Sequence, residues 1–273
     1  MSIVHMEYFS DALQGRARFN AILPDMQSAP DWLKGTSYYE NYQRPPKVIV
    51  MLHGYTGGES DVLLQTRMNE YVGKYNLCVI SPAGGNFFYV DCPWSGGKYA
   101  TFVAVELMEK FRRTFRIETN AENTIISGWS MGGYGAVYLG WKYPEVFSKI
   151  VAFAPALLTK NLEAWIPMDH DRNEAYYRMI FGDITTASER DVNPEVLAKE
   201  LAARNHPVPP VYVACGQEDF LLGNNLEFVE FLKAQGIGHE FHTGPGVHSL
   251  EFWNQYMEDA IQWAVGAPRA AHS

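Results

Sequence analysis

Gly128-Trp129-Ser130-Met131-Gly132-Gly133 stands between a β-branched run, Thr-Ile-Ile-Ser at residues 124–127, and a helical run at residues 134–141. This order of strand, sharp turn and helix is the setting in which a G-x-S-x-G motif holds a nucleophilic serine. The sharp turn tolerates only small neighbours, which the flanking glycines provide. The N-terminus of the following helix also stabilises negative charge that develops beside Ser130. The stretch therefore predicts a nucleophilic serine at the end of a buried strand.

Short apolar runs on both sides of this turn alternate with longer stretches of helical period. Val103, Leu107 and Phe111 recur every four residues, and the same spacing returns at residues 253–264. Because continuous β-branched runs are typical of strands covered on both faces, the pattern predicts a mostly parallel sheet with helices on both sides. The predicted strands are residues 18–23, 47–52, 77–80, 124–127, 150–153, 211–214 and 238–243.

Two irregular segments interrupt this alternation. Residues 24–46 are rich in turn-forming residues and are predicted to run over the surface. Residues 159–205 carry Trp165 and other aromatics among many charges, which indicates short helices that cover something apolar. We therefore expect a single domain over residues 1–273, with a lid-like insertion at about residues 159–205.

Composition excludes several classes of partner. The chain has 273 residues with 22 Lys and Arg against 31 Asp and Glu, and its net charge of −9 repels phosphate backbones. No apolar run approaches the length of a membrane span, and the first residues do not resemble a signal peptide. Three cysteines without CxxC spacing, and no Asn-x-Ser/Thr sequon, favour a reducing compartment. We expect a cytoplasmic protein that binds neither nucleic acid nor membranes.

A catalytic serine needs a histidine base, and the base needs a carboxylate that fixes its tautomer. With a strand-linked G-x-S-x-G serine, the chain order is serine, acid, histidine. His248 fits this order because it lies in a glycine-rich loop between the last predicted strand and the final helix. The other histidines precede the serine, precede any late strand, lie on a strand or lie in the tail: His5, His53, His170, His206, His239, His242 and His272.

The acid is expected just past the C-terminal end of a strand, where open parallel sheets collect their functional groups. Glu218 and Asp219 both follow the predicted strand at residues 211–214. The shorter side chain of Asp219 holds an imidazole more rigidly, which favours it, and Glu218 remains the alternative. The sequence thus predicts a relay of Ser130, His248 and a carboxylate at one edge of the sheet.

Acyl transfer also needs two N–H donors aimed at the oxygen that becomes negative. The backbone amide of Met131, directly after the serine, is predicted to be one of them. The loop after the strand at residues 47–52 is predicted to supply the other from Tyr55, since nearby glycines let the backbone approach a substrate. His53 in the same loop is interpreted as a hydrogen-bonding brace and not as a catalytic group.

Two patterns suggest a metal or a phosphate site, but neither has the arrangement of residues that such a site needs. His239-Glu-Phe-His242 resembles part of a zinc motif, but residues three apart on a strand point to opposite faces. The glycine pairs lack the Gly-Lys-Ser/Thr or strand-linked G-x-G-x-x-G context of a phosphate cradle and are predicted to form turns. We therefore expect no metal ion and no cofactor.

Together these motifs resemble the esterase D family of serine esterases in the α/β-hydrolase superfamily. That group includes tributyrin-type esterases, feruloyl and acetyl-xylan esterases, and S-formylglutathione hydrolases. The resemblance implies an α/β-hydrolase fold, with Ser130 as nucleophile, Asp219 as acid, His248 as base, and the Tyr55 and Met131 amides as oxyanion donors. The matching stretches are LHGYTG at 52–57, SGWSMGGYGA at 127–136, AFAP at 152–155, CGQEDFL at 215–221 and GPGVHS at 244–249.

Two departures from the family bear on the substrate. Residues 88–91 are similar to a segment of S-formylglutathione hydrolases, but the histidine that precedes their nucleophile is Trp129 here. Their Thr-Cys-Thr-like loop is also replaced, by Tyr-Thr-Gly-Gly-Glu at residues 55–59. The resemblance therefore favours a small carboxylesterase that forms an acyl-enzyme on its serine. S-formylglutathione hydrolysis is the alternative, and a non-catalytic binding protein on the same fold is a third hypothesis.

The substrate pocket is expected to be apolar. Large apolar residues lie beside the motifs or in the predicted lid, and they favour a short acyl or an aryl group such as feruloyl or acetyl. The partner predicted is a small-molecule ester, and analogy with the family suggests a homodimer or tetramer. The substrate-contacting residues predicted are Trp129, Tyr89, Trp165 and Leu221.

Overall fold

The computed structural model describes residues 1–24, 31–92, 97–169, 172–267 and 269. Its centre is an eight-stranded sheet with the strand order β1-β2-β4-β3-β5-β6-β7-β8. The first two strands run antiparallel to their neighbours, and all the others are parallel. The strands are β1 (Ser2–Ser10), β2 (Gly15–Leu23), β3 (Lys47–Leu52), β4 (Leu77–Pro82), β5 (Thr124–Trp129), β6 (Lys149–Phe153), β7 (Val211–Gly216) and β8 (His239–Gly244).

Helices cover both faces of this sheet. Alternate residues of β3 enter two separate cores: Val48 and Val50 pack on one side, Ile49 and Met51 on the other. The helices are α1 (Asp61–Gln65), α2 (Met68–Tyr75), α3 (Tyr99–Thr101), α4 (Met108–Phe115), α5 (Met131–Lys142), α6 (Leu162–Trp165), α7 (Glu174–Phe181), α8 (Pro194–Ala203), α9 (Leu222–Ala234) and α10 (Leu250–Val265).

The two predicted amphipathic helices are confirmed. Val103, Leu107 and Phe111 are all buried, on a continuous helical stretch in which a π-helical segment, Phe102–Leu107, joins α3 to α4. The four-residue spacing suits this wider turn. The apolar positions of α10, from Trp253 to Ala264, are buried in the core on the opposite face of the sheet. Both stretches therefore bury the faces that their periodicity predicts.

All seven predicted strands are present, and β1 is the one that the pattern did not predict. It pairs with β2 along its whole length and leaves its other edge open. The segment at residues 24–46 contains two short 3₁₀ helices, Asp31–Leu33 and Ser37–Gln43, while residues 25–30 lie outside the described part of the chain. None of the described helices combines the length and apolar character needed to cross a bilayer.

The connection from β6 to β7 is the longest between neighbouring strands. It consists of short helical pieces, as the sequence predicts: α6, α7 and α8 with 3₁₀ helices at Thr159–Asn161, Ile166–Met168 and Ile184–Glu189. The parallel strands end at the same edge of the sheet, where the loops after β3, β5, β7 and β8 meet this connection. The predicted nucleophile Ser130, acid Asp219 and base His248 lie in the loops after β5, β7 and β8, and the predicted oxyanion residue Tyr55 lies in the loop after β3.

Candidate active site

Ser130 stands at the turn between β5 and α5 in a strained conformation. Its φ of 56° and ψ of −118° lie in a region that residues with a side chain rarely adopt. Backbone hydrogen bonds hold the turn: the Ser130 amide donates to the carbonyl of Phe153 at 2.9 Å, and its carbonyl accepts from Tyr134 and Ala156, both at 3.0 Å. The strain exposes the hydroxyl at the end of the strand, above the N-terminus of a helix.

His248 meets Ser130 from the loop between β8 and α10. Its Nε2 lies 2.9 Å from the Ser130 Oγ, although 118 residues separate the two along the chain. Aromatic rings flank the imidazole, with centroids 4.5 Å away for Phe220 and 5.0 Å away for Trp253. The position and the orientation of the ring are therefore fixed by packing as well as by hydrogen bonds.

Asp219 completes the hydrogen-bond relay. Its carboxylate oxygens lie 3.0 and 2.8 Å from Nδ1 of His248, and its side chain is fully buried. Because a carboxylate only accepts, Nδ1 carries the hydrogen and Nε2 is left to accept from the serine hydroxyl. The amide of Leu221 donates to the same carboxylate at 2.9 Å. Glu218, the alternative acid, instead accepts from the amide of Gly246 at 2.5 Å.

Tyr55 and Met131, the two predicted oxyanion donors, both line the same cleft. In the described part of the chain, neither amide donates a hydrogen bond to the protein, so both are available to a ligand. His53 braces the loop that carries Tyr55, as the sequence predicts. Its Nδ1 donates to the carbonyl of Gly54 at 2.8 Å, and its Nε2 accepts from the amide of Gly84 at 2.9 Å. Burial lowers the pKa of His53, which favours this neutral form.

A cleft of about 440 Å³ opens beside the serine. Three of the four predicted substrate-contacting residues, Trp129, Trp165 and Leu221, line it. Trp129 is nearly buried and stacks on Trp253 with 6.1 Å between ring centroids. Trp165 comes from the segment predicted to form a lid, and its Nε1 donates to the hydroxyl of Tyr177 at 2.9 Å. The cleft has the size and the apolar walls of a small-molecule site.

Comparison with known proteins identifies the family of this chain. A family model described as "Putative esterase" matches residues 33–264. The chain is 35% identical over 268 residues to the acetyl esterase of Caldicellulosiruptor saccharolyticus, which covers 96% of this chain and 98% of the relative. The chain belongs to this esterase family. It is a carboxylic ester hydrolase with the α/β-hydrolase fold.

Solved structures resemble the esterase along nearly its whole length. The fluorophosphonate-binding serine hydrolase FphF of Staphylococcus aureus superposes with a TM-score of 0.82 at 25% identity, over 97% of this chain and 98% of that one. The S-formylglutathione hydrolase FrmB of the same organism superposes with a TM-score of 0.81, also at 25% identity and with the same coverage.

The prediction for Tyr89 needs correction. Tyr89 is fully buried and does not line the cleft of the esterase; Phe88 lines it instead. The Tyr89 hydroxyl donates to the carbonyl of His53 at 3.0 Å, and the ring packs against Gly84 and Gly135. Phe88 and Tyr89 have positive φ angles of 53° and 58°, a backbone turn that directs Tyr89 toward His53 in the loop after β3. Tyr89 therefore supports the site from below.

Several residues that line the esterase cleft were not predicted from the sequence. Phe220 directly follows Asp219 and is 63% exposed, and Arg172 belongs to the segment between β6 and β7. The position of Phe220 directly after the predicted acid was a usable signal, since the loops at that end of the parallel strands collect the functional groups. Trp165 and Phe220 also border a second cavity of about 240 Å³ on the far side of the cleft. No motif singled out Arg172.

One cluster of possible metal ligands lies away from the cleft. Glu240, His242 and Asp259 bring ligand atoms within 4.8 Å of one another. The sequence argument considered His239 with His242 and did not consider this combination. Arg269 already contacts both carboxylates, at 2.7 Å from Glu240 and 3.5 Å from Asp259, and the hydroxyl of Tyr212 donates to Asp259 at 2.8 Å. A cation would have to displace this arginine, so the cluster is a charge-paired surface network.

Proposed function

We propose that this esterase hydrolyses small carboxylic esters with a short acyl or an aryl group, acetyl esters first among them, through an acyl-enzyme on Ser130. The observation that carries the proposal is the continuous hydrogen-bond relay from Ser130 through His248 to Asp219 at the wall of an open cleft. A serine hydroxyl is a poor nucleophile at neutral pH, and such a relay supplies the base that it lacks.

In the first half-reaction, Oγ of Ser130 attacks the carbonyl carbon of the ester while its proton passes to Nε2 of His248. The bond between the carbonyl carbon and the alcohol oxygen then breaks, and the alcohol leaves with the proton from Nε2. Buried Asp219 stabilises the imidazolium that forms between these events, and it keeps the ring from rotating. The acyl group is left as an ester of Ser130.

In the second half-reaction, water takes the place of the alcohol. Nε2 of His248 accepts a proton from the water as its oxygen attacks the acyl carbon, and it returns that proton to Oγ of Ser130 as the acyl-enzyme bond breaks. The products are the free carboxylic acid and the original enzyme. In both halves the carbonyl oxygen becomes negative, and the unpaired amides of Tyr55 and Met131 are proposed to stabilise it.

The acyl group proposed is short because of the walls of the cleft and because of the acetyl esterase that the chain resembles. That relative, at 35% identity and near-complete coverage, is named for acetyl esters. Residues 159–205 are proposed to act as a lid within a single domain, since Trp165 of this segment forms part of the wall. A ring of this size in the wall of the cleft is proposed to restrict how far an acyl chain extends.

S-formylglutathione hydrolysis is a second candidate. It is supported by the structural similarity to an S-formylglutathione hydrolase over nearly the whole chain. Against it, the position before the nucleophile holds Trp129, which is nearly buried against Trp253 and offers a thioester substrate no imidazole. A comparison of kcat/KM for S-formylglutathione and for p-nitrophenyl acetate separates the candidates, and we expect the acetate to be the better substrate.

The test of the proposed mechanism is the Ser130→Ala variant. We expect it to lower kcat for p-nitrophenyl acetate by more than about 10⁴-fold and to abolish covalent labelling by a fluorophosphonate probe. Ser127→Ala is the matched control, because the buried Ser127 hydroxyl lies in the strand that leads to Ser130 and has no hydrogen-bond partner among the described residues. It should keep both activity and labelling. Wild-type turnover in Ser130→Ala would overturn the mechanism.

A further inference from the structure

Arg172 lines the cleft, and the proposed reaction makes no use of its hydrogen-bond donors. Its Nε donates to the carboxylate of Asp169 at 2.6 Å, and its guanidinium carbon lies 4.3 Å from the centroid of the Tyr55 ring. These contacts occupy Nε and one face of the guanidinium plane. Among the residues that the structure describes, no side chain or carbonyl accepts a hydrogen bond from Nη1 or Nη2.

The arginine is held in place and is not a mobile surface residue. Its side chain is only 17% exposed, and that of Asp169 is 2% exposed. The backbone amide of Arg172 donates to the same carboxylate at 3.2 Å, and the hydroxyl of Tyr177 donates to it as well. A guanidinium that is fixed in this way presents its remaining donors at little cost in side-chain entropy.

We propose that Arg172 is a specificity-determining residue that binds an uncharged oxygen acceptor on the alcohol part of the ester. The inference rests on the proposed function with acetyl as the acyl group. An acetyl group carries no oxygen apart from the reacting carbonyl, so any further acceptor must belong to the alcohol. Esters of hydroxylated alcohols would then be better substrates than esters of plain alkyl alcohols of the same size.

The charges around the cleft favour an uncharged acceptor over a carboxylate. Asp169 already neutralises Arg172, and Asp61 also lines the cleft. A substrate carboxylate would therefore meet two protein carboxylates against one guanidinium, on a chain with a net charge of −9. A hydroxyl oxygen gains the charge-assisted hydrogen bond without this repulsion.

The experiment compares three acetate esters whose alcohols have the same heavy-atom count. Glycerol 1-acetate carries two hydroxyls, 2-methylbutyl acetate is its apolar counterpart, and 3-acetoxypropanoate carries a carboxylate. We expect Arg172→Met to lower kcat/KM for glycerol 1-acetate by about tenfold, the effect of a lost charge-assisted hydrogen bond. The change for 2-methylbutyl acetate should stay within threefold. The ratio of the two values does not depend on the fraction of folded enzyme.

Arg178→Met is the control, because Arg178 lies in the same segment, pairs with Glu174 at 2.6 Å and does not line the cleft. It should leave the ratio unchanged. An equal loss for both esters in Arg172→Met would show that the residue only holds the lid, and would overturn the proposal. A wild-type preference for 3-acetoxypropanoate would overturn it in favour of an anion site. Wild-type enzyme that hydrolyses none of the three would instead contradict the proposed function.

Discussion

Both carboxylate oxygens of Asp219 lie within 3.0 Å of Nδ1 of His248, whereas the neighbouring Glu218 binds the amide of Gly246. This difference predicts unequal effects of two matched substitutions. Asp219→Asn replaces an acceptor with an amide that also donates, so the imidazole takes the tautomer that cannot receive the serine proton. We expect kcat for p-nitrophenyl acetate to fall by about 10⁴-fold.

Glu218→Gln is the matched control for this prediction. The amide oxygen of glutamine still accepts from Gly246, so we expect kcat to change by less than threefold. Steady-state kinetics at pH 7.5 on both variants measures the difference. If Glu218→Gln were the more damaging change, the assignment of the acid would have to move to Glu218.

The sheet was predictable because most of its strands are buried on both faces, and such strands read as continuous apolar runs. The exception is β1, an edge strand whose residues alternate between exposed and half-buried positions. Its apolar and polar residues, Ile3 and Phe9 on the exposed side among them, do not separate cleanly. The sequence signal for β1 is the short alternation of Val4, Met6 and Tyr8 with polar residues, which a search for continuous apolar runs does not detect. Its pairing with β2 is set by the hairpin between them.

The relay was predictable for a different reason: a motif fixes the turn, and the chain order limits the partners. Side-chain direction in loops follows no such rule. Two consecutive positive φ angles bring Phe88 to the cleft and turn Tyr89 inward. Nothing in the sequence around these two residues predicts such φ angles. The role of Arg172 in the cleft wall could not be predicted from the sequence either, because only folding of the segment between β6 and β7 brings Arg172 onto the ring of Tyr55. The residues that form the cleft walls could therefore be identified only from the structure.

The close approach of the turn to α5 predicts a strong steric effect at Gly128. A methyl group there would lie 2.3 Å from the carbonyl oxygen of Gly132 and 2.9 Å from Cβ of Leu52. Because the nearest of these atoms belongs to the backbone, we expect Gly128→Ala to lower the free energy of unfolding by about 3 kcal/mol and to displace Ser130. Urea unfolding measures the first effect, and p-nitrophenyl acetate turnover measures the second.

Gly73→Ala gives the comparison, since a methyl group at this position in α2 would meet no atom within 4 Å in the described residues outside the backbone of its own helix. Alanine is the better helix former, so we expect the free energy of unfolding to rise by about 0.5–1 kcal/mol. Equal stabilities for the two alanine variants would contradict the account of the turn.

The position of Trp165 in the cleft wall predicts that removing its ring changes the preference of the enzyme for acyl-chain length. With Phe220 it borders both the cleft and the neighbouring cavity of about 240 Å³. We expect Trp165→Ala to join the two spaces and to raise kcat/KM for butyryl and feruloyl esters relative to acetyl esters by at least about fivefold. Trp165→Phe keeps an aromatic wall and should shift the ratio less. Unchanged ratios in the alanine variant would remove Trp165 from substrate selection.

His53 predicts a dependence of stability on pH. Burial is the largest cause of its lowered pKa, and the hydrogen bond to the carbonyl of Gly54 and the charges of Asp61 and Glu59 act against that shift. In the unfolded chain, His53 therefore binds a proton near pH 6.5, whereas in the folded protein it stays neutral at that pH. The contribution of His53 to the free energy of unfolding is fully present above that pH. It is lost as the pH falls toward the pKa of His53 in the folded state.

A His53→Gln variant removes the titrating ring, so its stability should respond less to acid than that of the wild type. At pH 7.5 we expect the variant to be less stable by about 1–3 kcal/mol, because the hydrogen bonds in the loop are disturbed. This gap, the difference in the free energy of unfolding between wild type and variant, should narrow toward pH 5 by at most about 1.4 kcal/mol per pH unit. His206→Gln, at an exposed site, is the control for the substitution itself and should change the free energy of unfolding little at pH 7.5. Urea unfolding at both pH values measures the gap, and a gap that widens in acid would contradict a buried, neutral His53.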